Sequence, residues 1–212
     1  MDGAKIRLSA KEMELVTNAD WILTKNDIIE KVKSLFAALQ EKMADHLKNI
    51  SSQLPAEVTK LPPKISKGEN YNGLPYLVLD YPRLFDKQTI FAIRTLFWWG
   101  NFFSITLHLS GNHKTLFEKG GVGVIEFLKD QDFYICINED EWQHHFDSSN
   151  YAPAKKFSAD EWKVFIREKP FIKLAKKYPI HLWDEIINKL LADFKNITGW
   201  VILNSPNGEK DL

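Results

Sequence analysis

Arg94, Ser104, Thr106 and His108 fall on two β-branched, aromatic stretches, Ile90 to Trp99 and Phe102 to Ser110, with only Gly100 and Asn101 between them. Stretches joined so tightly pair as an antiparallel hairpin. A two-residue turn would oppose Phe97 to Ser104 and Arg94 to Leu107, mixing polar and apolar residues on both faces. A three-residue turn, Trp99-Gly100-Asn101, pairs Phe97 with Phe103, Thr95 with Ile105, Ile93 with Leu107 and Phe91 with Leu109. That leaves one nearly pure apolar face, and burial selects such a register. A three-residue loop with glycine available for positive φ is also common. The opposite face then sets Arg94 across from Thr106, with Ser104 and His108 beside them and Trp98 and Phe102 at one end. A guanidinium, three polar groups and an aromatic rim make a candidate cradle for a small anionic or ring-bearing ligand. The structural alternatives are a solvated sheet face, or a face lying under a helix with Arg94 paired to a carboxylate. Ile90, Ile93, Arg94 and Phe97 also suit a helical stripe, and a helix over 88–99 would abolish the cradle. β-branched and aromatic enrichment favours strand.

A second set of candidate groups runs from Glu139 to Asp147, Glu-Asp-Glu-Trp-Gln-His-His-Phe-Asp. His145-Phe146-Asp147 has the His-x-Asp form of facial-triad non-haem iron oxygenases, which add a distant second histidine. His181 is available downstream. The 2-oxoglutarate enzymes of that kind also place an arginine shortly after the distal histidine, and here Arg167 is the last arginine. Were the segment helical, Glu141 and His145 would share a face at i, i+4 as half a zinc site. A metal-dependent enzyme using His144, His145 and Asp147, with His108 or His181, is therefore the second functional reading. The alternative is a charged, wet segment anchored by Trp142 and Phe146.

Other motifs fail on spacing. Gly111-Asn112-His113-Lys114-Thr115 lacks the glycine that must precede a phosphate-loop lysine, and it reads with Gly120-Gly121-Val122-Gly123 as a strand connection. From Lys155 to Lys177 lysines interleave with Phe157, Trp162, Phe165, Phe171 and Tyr178, a pattern compatible with single-stranded nucleic acid or with a lysine-faced amphipathic helix. Lys plus Arg equals Asp plus Glu at 28 each, so the chain lacks the basic excess of a dedicated nucleic-acid binder, and none is expected as a partner. Cys136 is the only cysteine, which excludes an intrachain disulfide and a thiolate metal cluster. No secretory leader is read in residues 1–5 and no window suits a membrane span, so the expected location is cytoplasmic, with no membrane partner.

These groups need elements to hold them. Hydrophobic residues at 44%, in a chain of 212, can fill a core without staples, which favours one domain over the whole length. Ser9 to Glu12, Thr24 to Asp27 and Ser158 to Glu161 read as helix starts. Ile28, Val32, Leu35, Phe36, Leu39, Met43, Leu47 and Ile50 line one face of an amphipathic helix over about 27–49. Residues 51–73, broken by Pro55, Pro62, Pro63, Gly68 and Gly73, read as a long loop. Strands follow at Leu74–Asp80, Ile90–Trp99, Phe102–Ser110, Val122–Leu128 and Asp132–Asn138, an antiparallel meander of about five. Helices return at 158–168 and 181–195, and Val201-Ile202-Leu203 reads as an edge strand. The fold class is α+β, with the C-terminal helices packed on the sheet. Trp21, Trp142, Trp162, Trp183 and Trp200 read as core, whereas Trp98 and Trp99 must face opposite ways; an aromatic left outside marks a ligand platform or the contact of a homodimer.

Overall fold

The computed structural model describes residues 6–203; residues 1–5, read above for a secretory leader, lie outside them. Two helices open the chain, Ala10–Thr17 (α1) and Ala19–Ile50 (α2), followed by a short turn of helix at Ala56–Thr59 (α3). Four strands form a meander: Lys64–Tyr71 (β1), Leu74–Phe85 (β2), Ile90–Trp98 (β3) and Phe102–Ser110 (β4). Next come Gly111–Gly120 (α4), Val124–Asp130 (α5), Tyr134–Cys136 (β5), Tyr151–Pro153 (β6), Ala159–Glu168 (α6), Phe171–Pro179 (β7) and Ile186–Leu203 (α7). The strands make one antiparallel seven-stranded sheet in the order β1-β2-β3-β4-β7-β5-β6. The fold is α+β, with seven strands where five were expected.

The β3–β4 hairpin has the expected register: Phe97 opposes Phe103, Thr95 opposes Ile105, Arg94 opposes Thr106, and Gly100 takes a φ of 70° in the three-residue turn. Its apolar face joins Leu77, Leu79, Ile172, Leu174 and Ile135 in a core covered by α2 and α7, and Val32, Phe36, Leu39 and Met43 of α2 are buried there. Capping boxes at Ser9/Glu12 and Ser158/Glu161 open α1 and α6 as expected. Thr24, in contrast, lies inside α2, whose cap is Asn18 accepting from the Trp21 amide.

Residues 51–73 are not a loop, because 64–71 pair with β2. A polar strand such as β1 suits a sheet edge, where lysine and glycine discourage further pairing. Val122–Leu128 is not a strand either; Val124, Ile125 and Leu128 are buried along one face of α5. Val201–Leu203 is the last turn of α7 rather than a strand. The lysine-rich stretch divides into α6 and β7, with β7 beside β4 near the middle of the sheet. Trp162 is fully buried and donates to the Gly121 carbonyl at 3.0 Å. Trp21 and Trp142, expected in the core, are 42% and 50% exposed. Among the described residues no helix is long and apolar enough to cross a membrane.

Candidate functional site

The second face of the sheet carries two polar rows. Strand register aligns Lys64 of β1, Asp80 of β2, Arg94 of β3 and Thr106 of β4, and next to it Arg83, Ala92, His108 and Lys173. A bulge between Asp80 and Arg83 creates the second row. In a regular strand residues 80 and 83 would face opposite ways; one extra residue turns both to the polar side.

Residues 137–150 leave β5 and return as β6, and on the way they lie across this face as a strap. Lys173 pins it by donating to the carbonyls of Glu141 (2.7 Å) and Gln143 (2.6 Å). The hydroxyl of Tyr71 accepts from the amides of His144 (2.7 Å) and His145 (3.0 Å). His108 Nε2 lies 2.8 Å from Glu141 Oε2, and Phe146 stacks on Tyr151 with ring centroids 4.6 Å apart. Two short turns, in which Asn138 and Asp140 accept from the amides of Asp140 and Trp142, shape its start.

Arg94 makes three contacts below the strap. Its Nε and Nη2 donate to the two carboxylate oxygens of Asp80 at 2.7 and 2.9 Å, and Nη1 meets His144 Nε2 at 3.2 Å. Guanidinium nitrogens only donate, so that contact requires an unprotonated Nε2 on His144. Burial, then the charges of Lys173 and Arg94, hold His144 neutral, well below the usual histidine range. The same causes lower His108 to about 3, so its Nε2–H donates to Glu141. Burial lowers the Lys173 ammonium to about 8 and raises the Glu141 carboxyl. Between strap and sheet remains a cavity of about 10 Å³ among Arg94, Thr106, His108, Lys173, Glu141 and His144, the space of one water.

Open space lies next to the strap rather than over the hairpin. A groove of about 360 Å³ is lined by Lys64, Ser66, Tyr76, Asp80, Arg83 and Arg94, with Phe85 and Trp142 at its rim. Phe85, Arg94 and Trp142 line both spaces, so they form the wall between the groove and the small cavity.

Of the residues predicted for the cradle, Arg94, Thr106 and His108 come together. Ser104 is buried one step along the sheet and lines neither space. Trp98 belongs to a separate apolar cluster with Val78, Leu96 and Phe102, its indole N–H donating to the Tyr71 carbonyl at 3.1 Å. The segment read as a possible zinc-binding helix is not helical, so Glu141 and His145 share no helix face. His145 Nδ1 lies 3.2 Å from Asp147 Oδ2, outside hydrogen-bond geometry, while His144 turns to Arg94. Among the described residues no group of three or more His, Cys, Asp or Glu side chains is placed to hold a metal ion.

Sequence reasoning missed Lys64, Asp80, Arg83 and Lys173. Asn72-Gly73, a two-residue hairpin turn with φ values of 50° and 81°, was the available signal for β1 and thus for Lys64. Pro170 and Pro179, bracketing Phe171 to Tyr178, were the signal for β7 and Lys173.

Fold and site together define an antiparallel α+β protein whose polar sheet face is closed by a strap and opens beside it into a basic groove. Comparison with protein-family models, curated proteins and solved structures gives no match.

Proposed function

We propose that the protein is a binding module for a small anionic ligand bearing a flat ring, held in the groove beside the strap. The observation that carries this reading is the convergence of three cations, Lys64, Arg83 and Arg94, around one carboxylate, Asp80, which Arg94 already satisfies. Arg83 spends only Nε, on the Pro62 carbonyl at 2.7 Å, and its Nη groups remain to fork onto a carboxylate or phosphate. Phe85 and the half-exposed Trp142 supply faces for a ring to stack on. Arg94, with three of its five N–H donors engaged on Asp80 and His144, contributes chiefly field and rigidity.

Binding is favoured over catalysis because His108 and Lys173, the groups best suited to proton transfer, lie beneath the strap with room for a single water. The setting proposed is cytoplasmic, in keeping with Cys136 being buried and unpaired.

The test is thermal melting of the whole chain with benzoate, phenyl phosphate and inorganic phosphate. A ligand that binds only the native state raises Tm by mass action. The aromatic anions are expected to raise it more than phosphate does, and the double variant Lys64→Ala/Arg83→Ala to abolish the rise while melting close to the parent. No shift with any of them, or a shift that survives in the double variant, refutes the reading.

A further inference from the structure

Exposure of large apolar side chains is concentrated in one place. Eight of the twelve exposed large hydrophobics among the described residues lie between Ile6 and Leu23. α1 buries nothing, and the first buried residue of α2 is Ile29. α1 and the opening of α2, joined through Asn18, therefore form an arm outside the core. Val16 is 68% exposed, Leu23 58%, and Met13 and Ile22 51% each. Apolar side chains distributed round a helix in this way belong to an element that is buried by something. At the base of the arm a second groove of about 360 Å³ runs between Trp21, Ile28 and Trp99.

We infer that this arm is a self-association surface, and that its occupant is the arm of a second copy of the chain. Three features select that occupant. Summed over its eight exposed side chains, the arm offers apolar area on the order of 700 Å², close to the ~800 Å² that each partner gives to a stable interface. The arm carries both signs of charge, Arg7 and Lys11 against Glu12, Glu14, Asp20 and Asp27, so two arms meeting about a twofold axis can oppose unlike charges. An anionic membrane surface calls instead for a basic excess, which the arm lacks. Surface and receptacle also occur on the same chain, as an isologous contact requires: Met13 and Val16 of one copy are the protruding side chains, and the groove between Trp21 of the arm and Trp99 of the β3–β4 turn of the other receives them.

Sedimentation velocity of the whole chain from about 1 to about 100 µM, the range in which an interface of this size populates a dimer, tests this. The expected result is a dimer that becomes a monomer in Val16→Asp/Leu23→Asp, with the variant melting where the parent melts at concentrations that leave it monomeric, since both positions lie outside the core. Tryptophan emission should shift red with dissociation as Trp21 and Trp99 enter water. A parent chain monomeric at the highest concentration overturns the inference, as does a dimer that persists in the double variant. Sedimentation of a monomeric parent with zwitterionic or anionic vesicles would reassign the arm to a lipid surface.

Discussion

Acid should loosen the strap through His108, and the structure sets the size of the effect. The imidazole is 5% exposed and donates to Glu141 across the gap between sheet and strap. Folded, it stays neutral until the pH approaches about 3. Unfolded, it takes a proton near pH ~6.5. Between those values the unfolded state binds more protons, so stability is intact above the upper one and falls as pH drops through the window. At about 1.36 kcal/mol per pH unit, moving from pH ~7.5 to pH ~5 costs about 2 kcal/mol from this residue alone. His144, neutral against Arg94 with Lys173, His108 and His145 facing it, changes stability in the same direction. Glu141, whose carboxyl is raised by burial, takes up its proton first in the folded state and opposes the trend near the acid end. The assay pairs urea midpoints with hydrogen exchange at the His144 and His145 amides, both bonded to Tyr71. His108→Gln keeps a neutral donor toward Glu141 and should remove about 2 kcal/mol of the acid loss between those two pH values. An acid loss unchanged in His108→Gln refutes the reasoning.

Other perturbations have definite expected sizes. Arg94→Ala leaves Asp80 buried without its fork and should cost about 3–5 kcal/mol in urea melts, part of it recovered by adding Asp80→Asn. Gly111 sits at a φ of +56°, where an added Cβ would stand 2.1 Å from the Gln88 carbonyl oxygen, so Gly111→Ala should cost at least ~2 kcal/mol by the same measurement. Trp162→Phe removes a buried donor to the Gly121 carbonyl and leaves a void; a loss of roughly 1–3 kcal/mol in calorimetry is expected. Ser158→Ala breaks a capping box and should cost about 1 kcal/mol, with lower helicity by circular dichroism.

How legible each part was follows from how strongly burial constrained it. The β3–β4 register was readable because a slip by one residue would have put either Arg94 or Ser104 into the core, a penalty no loop geometry could offset. β1 pays no such penalty: as an edge strand it buries little beyond Ile65 and Tyr71, so apolar periodicity is nearly silent and only Asn72-Gly73 marks it. β7 was hidden for the opposite reason. It is central, but Lys173 and Lys176 occupy opposite faces, and their alkyl stems and specific acceptors make burial tolerable in a way that composition does not reveal. In α5 the β-branched Val124 and Ile125 imitate a strand until Leu128 completes the i, i+4 spacing. The cradle was therefore half visible. Register gave Arg94, Thr106 and His108 a common face, while the other half comes from β1, a bulge and a non-helical strap with no periodicity to read.

The strap's attachments also bear on how the groove would work. Lys173 is satisfied by main-chain carbonyls, and Tyr71 by main-chain amides, so much of the hold on the sheet is independent of which side chains the strap carries. Trp142 takes little part in that hold: it is half exposed, 5.6 Å from the His108 ring and 6.2 Å from Phe85, at the wall between groove and cavity. A ring stacked on Trp142 would add a contact that exists only while the strap is down. By linkage, such a ligand must protect the strap by the same free energy that strap closure adds to binding. The acid that loosens the strap through His108 must then weaken an aromatic anion such as benzoate more than it weakens sulfate, whose charge is constant over this range and which can reach Arg83 and Lys64 without touching Trp142. The difference between those two ligands, followed from neutral to mildly acidic pH, separates a groove that merely attracts anions from one whose strap is part of the site.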